Sequence, residues 1–407
     1  MRSKRISGAA AVLLVGSALS LTTACSGSNP AKPDAGGSPA ATAPDAPAPG
    51  TAAPAAKASK AALSVQPADG ATGVAPTSPV KVSVADGKLT QVTVTGPDGK
   101  PVAGTVGPDG NWAPAAALAV SAKYQVSAQA VDASGAATTT TSSFTTLTPK
   151  KTESVKDNLT DQKQYGVGMI ISVTFDQPVK DKKAAEQAVK VVASDGTTVR
   201  GHWFDGDTRL DIRPEKYWTP GTTVTVTRRV SNVELSPGVY GAKDVDESFT
   251  IGRSKISTAD AAAHMMTVVE NGVTLPPIKI TAGSDENPSW NGTMVVFDKE
   301  PMVHMVSSTT TIKGQPYDVW EPHGLQITAT GSYVHGNPKA AAVAGLSNIS
   351  HGCIGLPDSE KGDDNSVAGK FYQDSMIGDV VIIKNSVGEQ VDPANGLSGW
   401  SLPWAQW

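Results

Sequence analysis

Short runs of alternating apolar and polar residues dominate the chain from Ala62 onward, and turn signals separate them. Residues 80–84, 91–95, 124–130 and 142–146 form a first set, with Pro97-Asp98-Gly99 and Pro108-Asp109-Gly110 as turns. Alternation with a period of two puts every second side chain on one face, as in a half-buried strand. A second set covers 170–175, 189–193 (ending in Ser194-Asp195-Gly196), 201–204, 224–228 and 248–251. The sets read as a diverged repeat, in which Gly99 matches Gly196 and Ser143-Phe144-Thr145 matches Ser248-Phe249-Thr250. Many short strands at this spacing predict two β-sandwiches, over 62–148 and 149–252.

A third region, 253–387, begins with runs at 265–269 and 273–280 around Asn271-Gly272, a strong hairpin signal. Runs at 293–297 and 302–305 continue the strand pattern. Residues 305–333 then read as a long irregular loop carrying Tyr317, Trp320 and His323, and such loops are usually functional or disordered. Pro357-Asp358-Ser359 predicts the start of the only convincing helix, ending near Gly378 before a strand at 380–383. Asp358, Glu360, Asp363 and Asp364 read as its solvated acidic start. Residues 388–407 carry Trp400, Trp404 and Trp407 and are expected to pack as a tail on the third domain. The expected fold class is mainly β: two sandwiches, then a β-rich domain with one or two short helices and a long lid loop.

The first 61 residues lack any such period. Arg2, Lys4 and Arg5 precede an apolar run at 8–21 and then Thr22-Thr23-Ala24-Cys25, which reads as a secretory signal over 1–24. That run is short of the roughly 20 apolar residues of a membrane span. Small residues before Cys25 resemble the lipobox of bacterial lipoproteins, with Leu21 four positions ahead. The resemblance implies acylation of Cys25 and a lipid anchor on the outer face of the membrane. Residues 25–61 are mostly Ala, Pro, Gly, Ser and Thr. They bury too little apolar area to offset the entropy of ordering, so a disordered tether is expected.

The formal charge is −4; without Arg2, Lys4 and Arg5 the cations fall from 34 to 31 against 38 acids, giving −7. No basic tract remains, which argues against a nucleic-acid partner. Cys25 and Cys353 are the two cysteines. Cys25 belongs to the signal, so Cys353 has no intramolecular partner and is a nucleophile candidate. The alternative is a free cysteine packing as a small hydrophobe. A thiolate at neutral pH needs a nearby base or positive charge, and His335 and His351 offer two imidazoles. In an extended segment residues two apart share a face, which sets His351 beside Cys353. A zinc reading of His304, His323, His335, His351 and Cys353 lacks a supporting Cys-x-x-Cys or His-Glu-x-x-His pattern, and no metal or cofactor is expected.

Fourteen residues separate His335 from Ser350-His351-Gly352-Cys353. This arrangement resembles the L,D-transpeptidase family. The order of signal, tether, two immunoglobulin-like sandwiches, catalytic domain and Trp-rich tail resembles its lipoprotein branch. The resemblance implies attack by Cys353 on the bond joining a diamino acid to D-Ala in a peptidoglycan tetrapeptide stem. D-Ala leaves, a thioester remains, and a second stem's amine resolves it into a 3→3 cross-link. His335 would be base and then acid, and the Gly336 carbonyl would orient it. The Gly352 and Cys353 amides would hold the oxyanion. Tyr317, His351 and Ser350 would hold the loop or contact substrate. Peptidoglycan stems are the implied partners and carbapenem-type β-lactams the implied inhibitors.

Two positions depart from the family pattern: Gly355 stands where Asn or Arg is usual, and Pro288-Ser289-Trp290-Asn291-Gly292 replaces a Thr-Pro-x-Gly. A sortase would show Thr-Leu-x-Thr-Cys and a later Arg, but no Arg follows Cys353. A wall-hydrolase cysteine peptidase would place its Cys before its His. The remaining alternatives are an L,D-carboxypeptidase or a catalytically weak, wall-binding lipoprotein.

Overall fold

The computed structural model describes residues 58–108, 111–307 and 316–407. The expected signal, Cys25 and the tether through residue 57 lie outside the described residues. So do 109–110 of one expected turn and 308–315 of the expected lid.

The molecule is mainly β. In the first sandwich one sheet runs Ala62–Gln66, Val80–Ala85, Asn111–Pro114, Gly104–Val106. Its other sheet runs Ala71–Val74, Ala137–Thr146, Lys123–Asp132, Gly87–Thr95. The second sandwich repeats this layout with Val155–Asp157, Ile171–Phe175, Arg209–Pro214, Val199–Phe204 facing Gln164–Tyr165, Val245–Ile251, Thr223–Arg228, Val189–Ala193. Even the parallel pair recurs: Ala71–Val74 beside Ala137–Thr146, and Gln164–Tyr165 beside Val245–Ile251. The matched Phe144 and Phe249 are both buried, and Gly99 and Gly196 take φ of +76° and +79°, where a Cβ is strained. The repeat seen in sequence is thus a repeat of topology. A helix at Lys182–Ala188, capped by Asp181 accepting from the Ala184 amide at 2.9 Å, was not foreseen. Two turns are too few for a helical period to show.

The third domain holds two sheets. One orders Val273–Thr274, Met265–Glu270, Lys255–Asp260, Val380–Lys384 and Gly292–Val295, with Ile278–Lys279 also beside Met265–Glu270. The other orders Asp298–Val306, Asp318–Gln326, Tyr333–Asn337 and Ile354–Pro357. Met266, Met294, Leu325, Val334, Ile354 and Phe371 belong to the core of this domain. Fully burying such side chains stabilises by roughly 1.5–3 kcal/mol each.

Two expectations for this domain are corrected. Residues 305–333 are not one irregular loop, because Asp318–Gln326 pairs with Asp298–Val306 along the whole strand. Asp318, Trp320, Glu321 and Pro322 hide the alternation. Pro322 is tolerated because the far side of this strand is paired only at Leu325 and Gln326. The helix expected from Pro357 begins only at Val367, capped by Ser366, and ends at Asp374. The Asp358 side chain is committed elsewhere, as described below.

The second sandwich and third domain share apolar core: Val295, Val380 and Leu397 belong to the cluster of Tyr165, Met169 and Trp218. Gly166 and Gly168 donate backbone bonds of 2.8 Å to Ile377 and Gly378. A Cβ on Gly166 would meet the Gly378 backbone at 2.4 Å, so this seam requires glycine. The tail was expected on the third domain alone, and it also reaches the second sandwich. Ser401 bonds both N and O of Thr293, at 2.8 and 3.0 Å, while Trp400 and Trp407 donate to the Gly168 and Arg200 carbonyls, each at 2.8 Å. Arg213 is 2% exposed, and its guanidinium stacks 4.4 Å from the Trp400 ring and 4.2 Å from the Trp407 ring. Among the described residues this buried cation has no carboxylate partner, and these rings and the Leu402 carbonyl, 2.9 Å away, hold it instead.

Candidate active site

Tyr333–Asn337 and Ile354–Pro357 lie side by side and parallel, with Val334 opposite Ile354 and His335 opposite Gly355. Cys353 immediately precedes the second strand. The pairing therefore brings the two sequence candidates to neighbouring positions on adjacent strands, which lie about 4.8 Å apart.

His335 is 4% exposed, and its Nδ1 is 2.8 Å from the Gly336 carbonyl oxygen. A carbonyl only accepts, so Nδ1 carries the proton and Nε2 keeps its lone pair as a base. Burial drives the imidazole pKa down to about 4, against a raising effect of the Gly336 carbonyl. Cys353 is a half-buried free thiol whose Sγ is 3.9 Å from the Gly331 carbonyl oxygen. Burial pushes it up to about 11, opposed by the Tyr333 backbone and reinforced by Glu321. Both directions disfavour a standing thiolate–imidazolium pair and favour loss of the sulfur's proton as it attacks.

The glycines are fitted to their surroundings. A Cβ at Gly336 would stand 2.2 Å from Asp358 Oδ2. At Gly355 it would stand 2.9 Å from Thr281 Cγ2 and 3.1 Å from Asn337 Cβ, so those side chains fill the space an Asn or Arg would need. Asp358 is a buried carboxylate, contrary to its reading as part of a solvated helix start. It accepts from His323 Nδ1 at 2.6 Å and from the Ser359 and Asp363 amides at 2.8 and 2.9 Å. Burial raises its pKa, but the His323 bond and those amides win, leaving it below the ordinary value. His323 also meets Asp364 at 3.2 Å.

Ser350 is buried; its hydroxyl donates to the Cys353 carbonyl at 2.5 Å and accepts from the Gly352 amide at 3.3 Å. The Gly352 N–H expected to face an oxyanion is thus turned toward Ser350 here, and the Ser350 hydroxyl is committed to holding the loop. Gly352 has φ +114°, and this bend breaks the extended geometry that would have set His351 beside the thiol. His351 is exposed and packs against Tyr317, ring centres 5.0 Å apart. Tyr317 is half-buried, and burial followed by the Cys353 charge raises its hydroxyl pKa. Its hydroxyl therefore stays neutral beside His351.

Sequence reasoning missed Glu321. From strand Asp318–Gln326 it brings Oε2 to 3.9 Å from His335 Nδ1 with its side chain 18% exposed. Burial pushes it up to about 7. No spacing signal marks it, because a cross-strand contact fixes its place. For the zinc reading, no group of three or more His, Cys, Asp or Glu among the described residues could hold a metal ion. His304 instead stacks on Trp320, 4.5 Å between ring centres, and meets Asp318 at 2.6 Å.

A buried neutral base beside a thiol can run acyl transfer through sulfur. Comparison with known proteins bears on the family. Residues 71–234 match the bacterial Ig domain family, and residues 254–383 match the L,D-transpeptidase catalytic domain family. L,D-transpeptidase 2 of Mycobacterium tuberculosis is 33% identical over 352 residues, covering 85% of this chain and 83% of that protein. L,D-transpeptidase 5 of Mycobacterium tuberculosis is 29% identical over 353 residues, covering 85% and 76%. The solved structure of L,D-transpeptidase 3 from Mycobacterium tuberculosis, in complex with a faropenem-derived adduct, is 27% identical. It covers 56% of this chain and 97% of that one, with a TM-score of 0.46.

Proposed function

The chain belongs to the L,D-transpeptidase family, and on that premise we propose that it forms 3→3 cross-links in peptidoglycan through a thioester on Cys353. The observation that carries this reading is the His335 tautomer. Nδ1–H is tied to the Gly336 carbonyl, so Nε2 is a base on the strand beside Cys353. The Sγ proton passes to Nε2 while sulfur bonds to the carbonyl carbon joining a diamino acid to D-Ala. His335 returns that proton to the departing D-Ala amine as the C–N bond breaks. The side-chain amine of a second stem then attacks the thioester and gives up a proton through His335, and the thiol leaves protonated. The Cys353 and Gly352 amides serve the oxyanion, the latter after release from Ser350, with Tyr317 as a further donor. Once bound stem displaces water, each such donor gains strength.

The same reading makes Cys353 the target of carbapenem-type β-lactams, whose ring opens on sulfur to leave one adduct. It also puts the protein outside the cytoplasm, held at the membrane's outer face by an acylated Cys25 with residues 25–61 as a tether into the wall. The sequence of the first 61 residues supports this part, and a shift from membrane fraction to medium on Cys25→Ala tests it.

Incubation with disaccharide tetrapeptide stems is the test of the reaction. D-Ala release with dimer formation is expected, and both vanish in Cys353→Ala. Release without dimers makes the protein a carboxypeptidase, and neither product leaves a wall-binding role.

A further inference from the structure

The reaction above leaves Glu321 unused. Among the described residues its carboxylate accepts no hydrogen bond, and its one ion-pair contact is with His335 Nδ1, at 3.9 Å. An uncommitted carboxylate inside a cleft is costly unless a positive charge forms beside it. One does form there. When Cys353 gives its proton to Nε2, the imidazole becomes a cation, and Nδ1–H remains pointed at Gly336. The Gly336 carbonyl fixes the direction of the ring and carries no net charge.

We propose that Glu321 is a positioning residue that stabilises the His335 imidazolium as Cys353 attacks, through the close approach of its carboxylate to Nδ1. The proposal rests on the reading of Cys353 and His335 as nucleophile and base. Glu321 takes no proton in the step; the proton moves from Sγ to Nε2 and onward to the leaving amine. Two unit charges at this distance in a partly buried cleft attract strongly enough to change a rate by about 10- to 100-fold. Glu321 is also faced by Tyr317 and Cys353, whose ionised forms its charge opposes. Sulfur gives up its charge on bonding to carbon, whereas the imidazolium 3.9 Å away keeps its own. Lys339 favours the ionised form of Glu321, and Asp358 disfavours it. Burial outweighs these and holds it at about 7, so the supporting carboxylate is present above that pH and lost below it.

The test compares the full chain with Glu321→Gln and Glu321→Asp across neutral pH. One readout is iodoacetamide alkylation of Cys353, followed by peptide mass mapping to separate it from Cys25; the other is D-Ala release from tetrapeptide stems. Wild type is expected to show a rise in alkylation of about 10- to 100-fold centred near pH 7. Glu321→Gln should lack this added step and keep only the smooth rise of the thiol's own titration, and Glu321→Asp should restore a smaller step. An unchanged profile in both variants overturns the proposal. A lost step without D-Ala release from wild type leaves the positioning role standing and removes the transpeptidase reading. Equal D-Ala release and equal profiles in all three proteins keep that reading and remove Glu321.

Discussion

Gly336→Ala tests how the base is held. A Cβ at this position stands 2.2 Å from Asp358 Oδ2 and 2.9 Å from its Cβ and Cγ, well inside contact distance. Asp358 cannot simply swing away, because its carboxylate holds His323 at 2.6 Å and two backbone amides. Either the His335 strand shifts or the buried pair breaks. Overpacking costs about 1–3 kcal/mol, and leaving a buried carboxylate without a hydrogen-bond donor costs about as much or more, so a loss of this order is expected. A strand shift also carries the Gly336 carbonyl away from Nδ1, and a misplacement of about 1 Å can lower a rate about 100-fold. Thermal melting and D-Ala release should therefore fall together. Asp358→Ala removes the obstruction while leaving His323 without its main partner. The double variant should consequently be less destabilised than the two single effects combined, by roughly 0.5–3 kcal/mol. Wild-type melting and turnover in Gly336→Ala, or strict additivity in the double variant, would refute the reasoning.

Gly355→Asn, which restores the family's usual residue, should cost about 1–3 kcal/mol in a melt, and Thr281→Ser should recover part of it by removing Cγ2. Arg213→Ala should cost about 2–4 kcal/mol and make residues 388–407 the first site of protease cleavage, with red-shifted tryptophan emission. Glu247 is raised to about 7, first by burial and then by Asp157. The folded chain therefore binds its proton more tightly than the unfolded one, and stability should fall as pH rises from about 4.5 to about 7 and then level off. Glu247→Gln should flatten that slope in melts recorded across this range.

What the sequence revealed was periodic or spaced. The alternating runs marked the sandwich strands, and the interval from His335 to Cys353 marked two positions that parallel strands bring together. What it concealed depended on contacts between distant residues. Pro357-Asp358-Ser359 has the chemistry of a helix start, but Asp358 turns inward because His323, on another strand, offers a donor. Trp400 and Trp407 read as a surface tail, and Arg213, nearly two hundred residues earlier, decides where they lie. Gly355 looked like a missing side chain, whereas Thr281 and Asn337 occupy its space. Glu321 sits where charged and bulky residues blur the alternation, so neither its strand nor its neighbour could be read.

The fixed interval between the two site residues has a topological cause. Their strands are parallel, and the end of one cannot turn directly into the start of the next. A parallel pair needs a crossover of a dozen or more residues, and residues 338–353 supply it, including the helix Ala340–Val343. The last part of that crossover is the Ser350–Cys353 bend, tied by Ser350 to the Cys353 carbonyl and to the Ala282 backbone oxygen at 3.0 Å. The segment that returns the chain is therefore also the segment that presents the sulfur. Register then fixes the rest: a shift of one residue would exchange the side chains facing His335 and point the imidazole away from Cys353. That spacing is thus the length needed to bring one strand back beside the other with Cys353 and His335 on the same face.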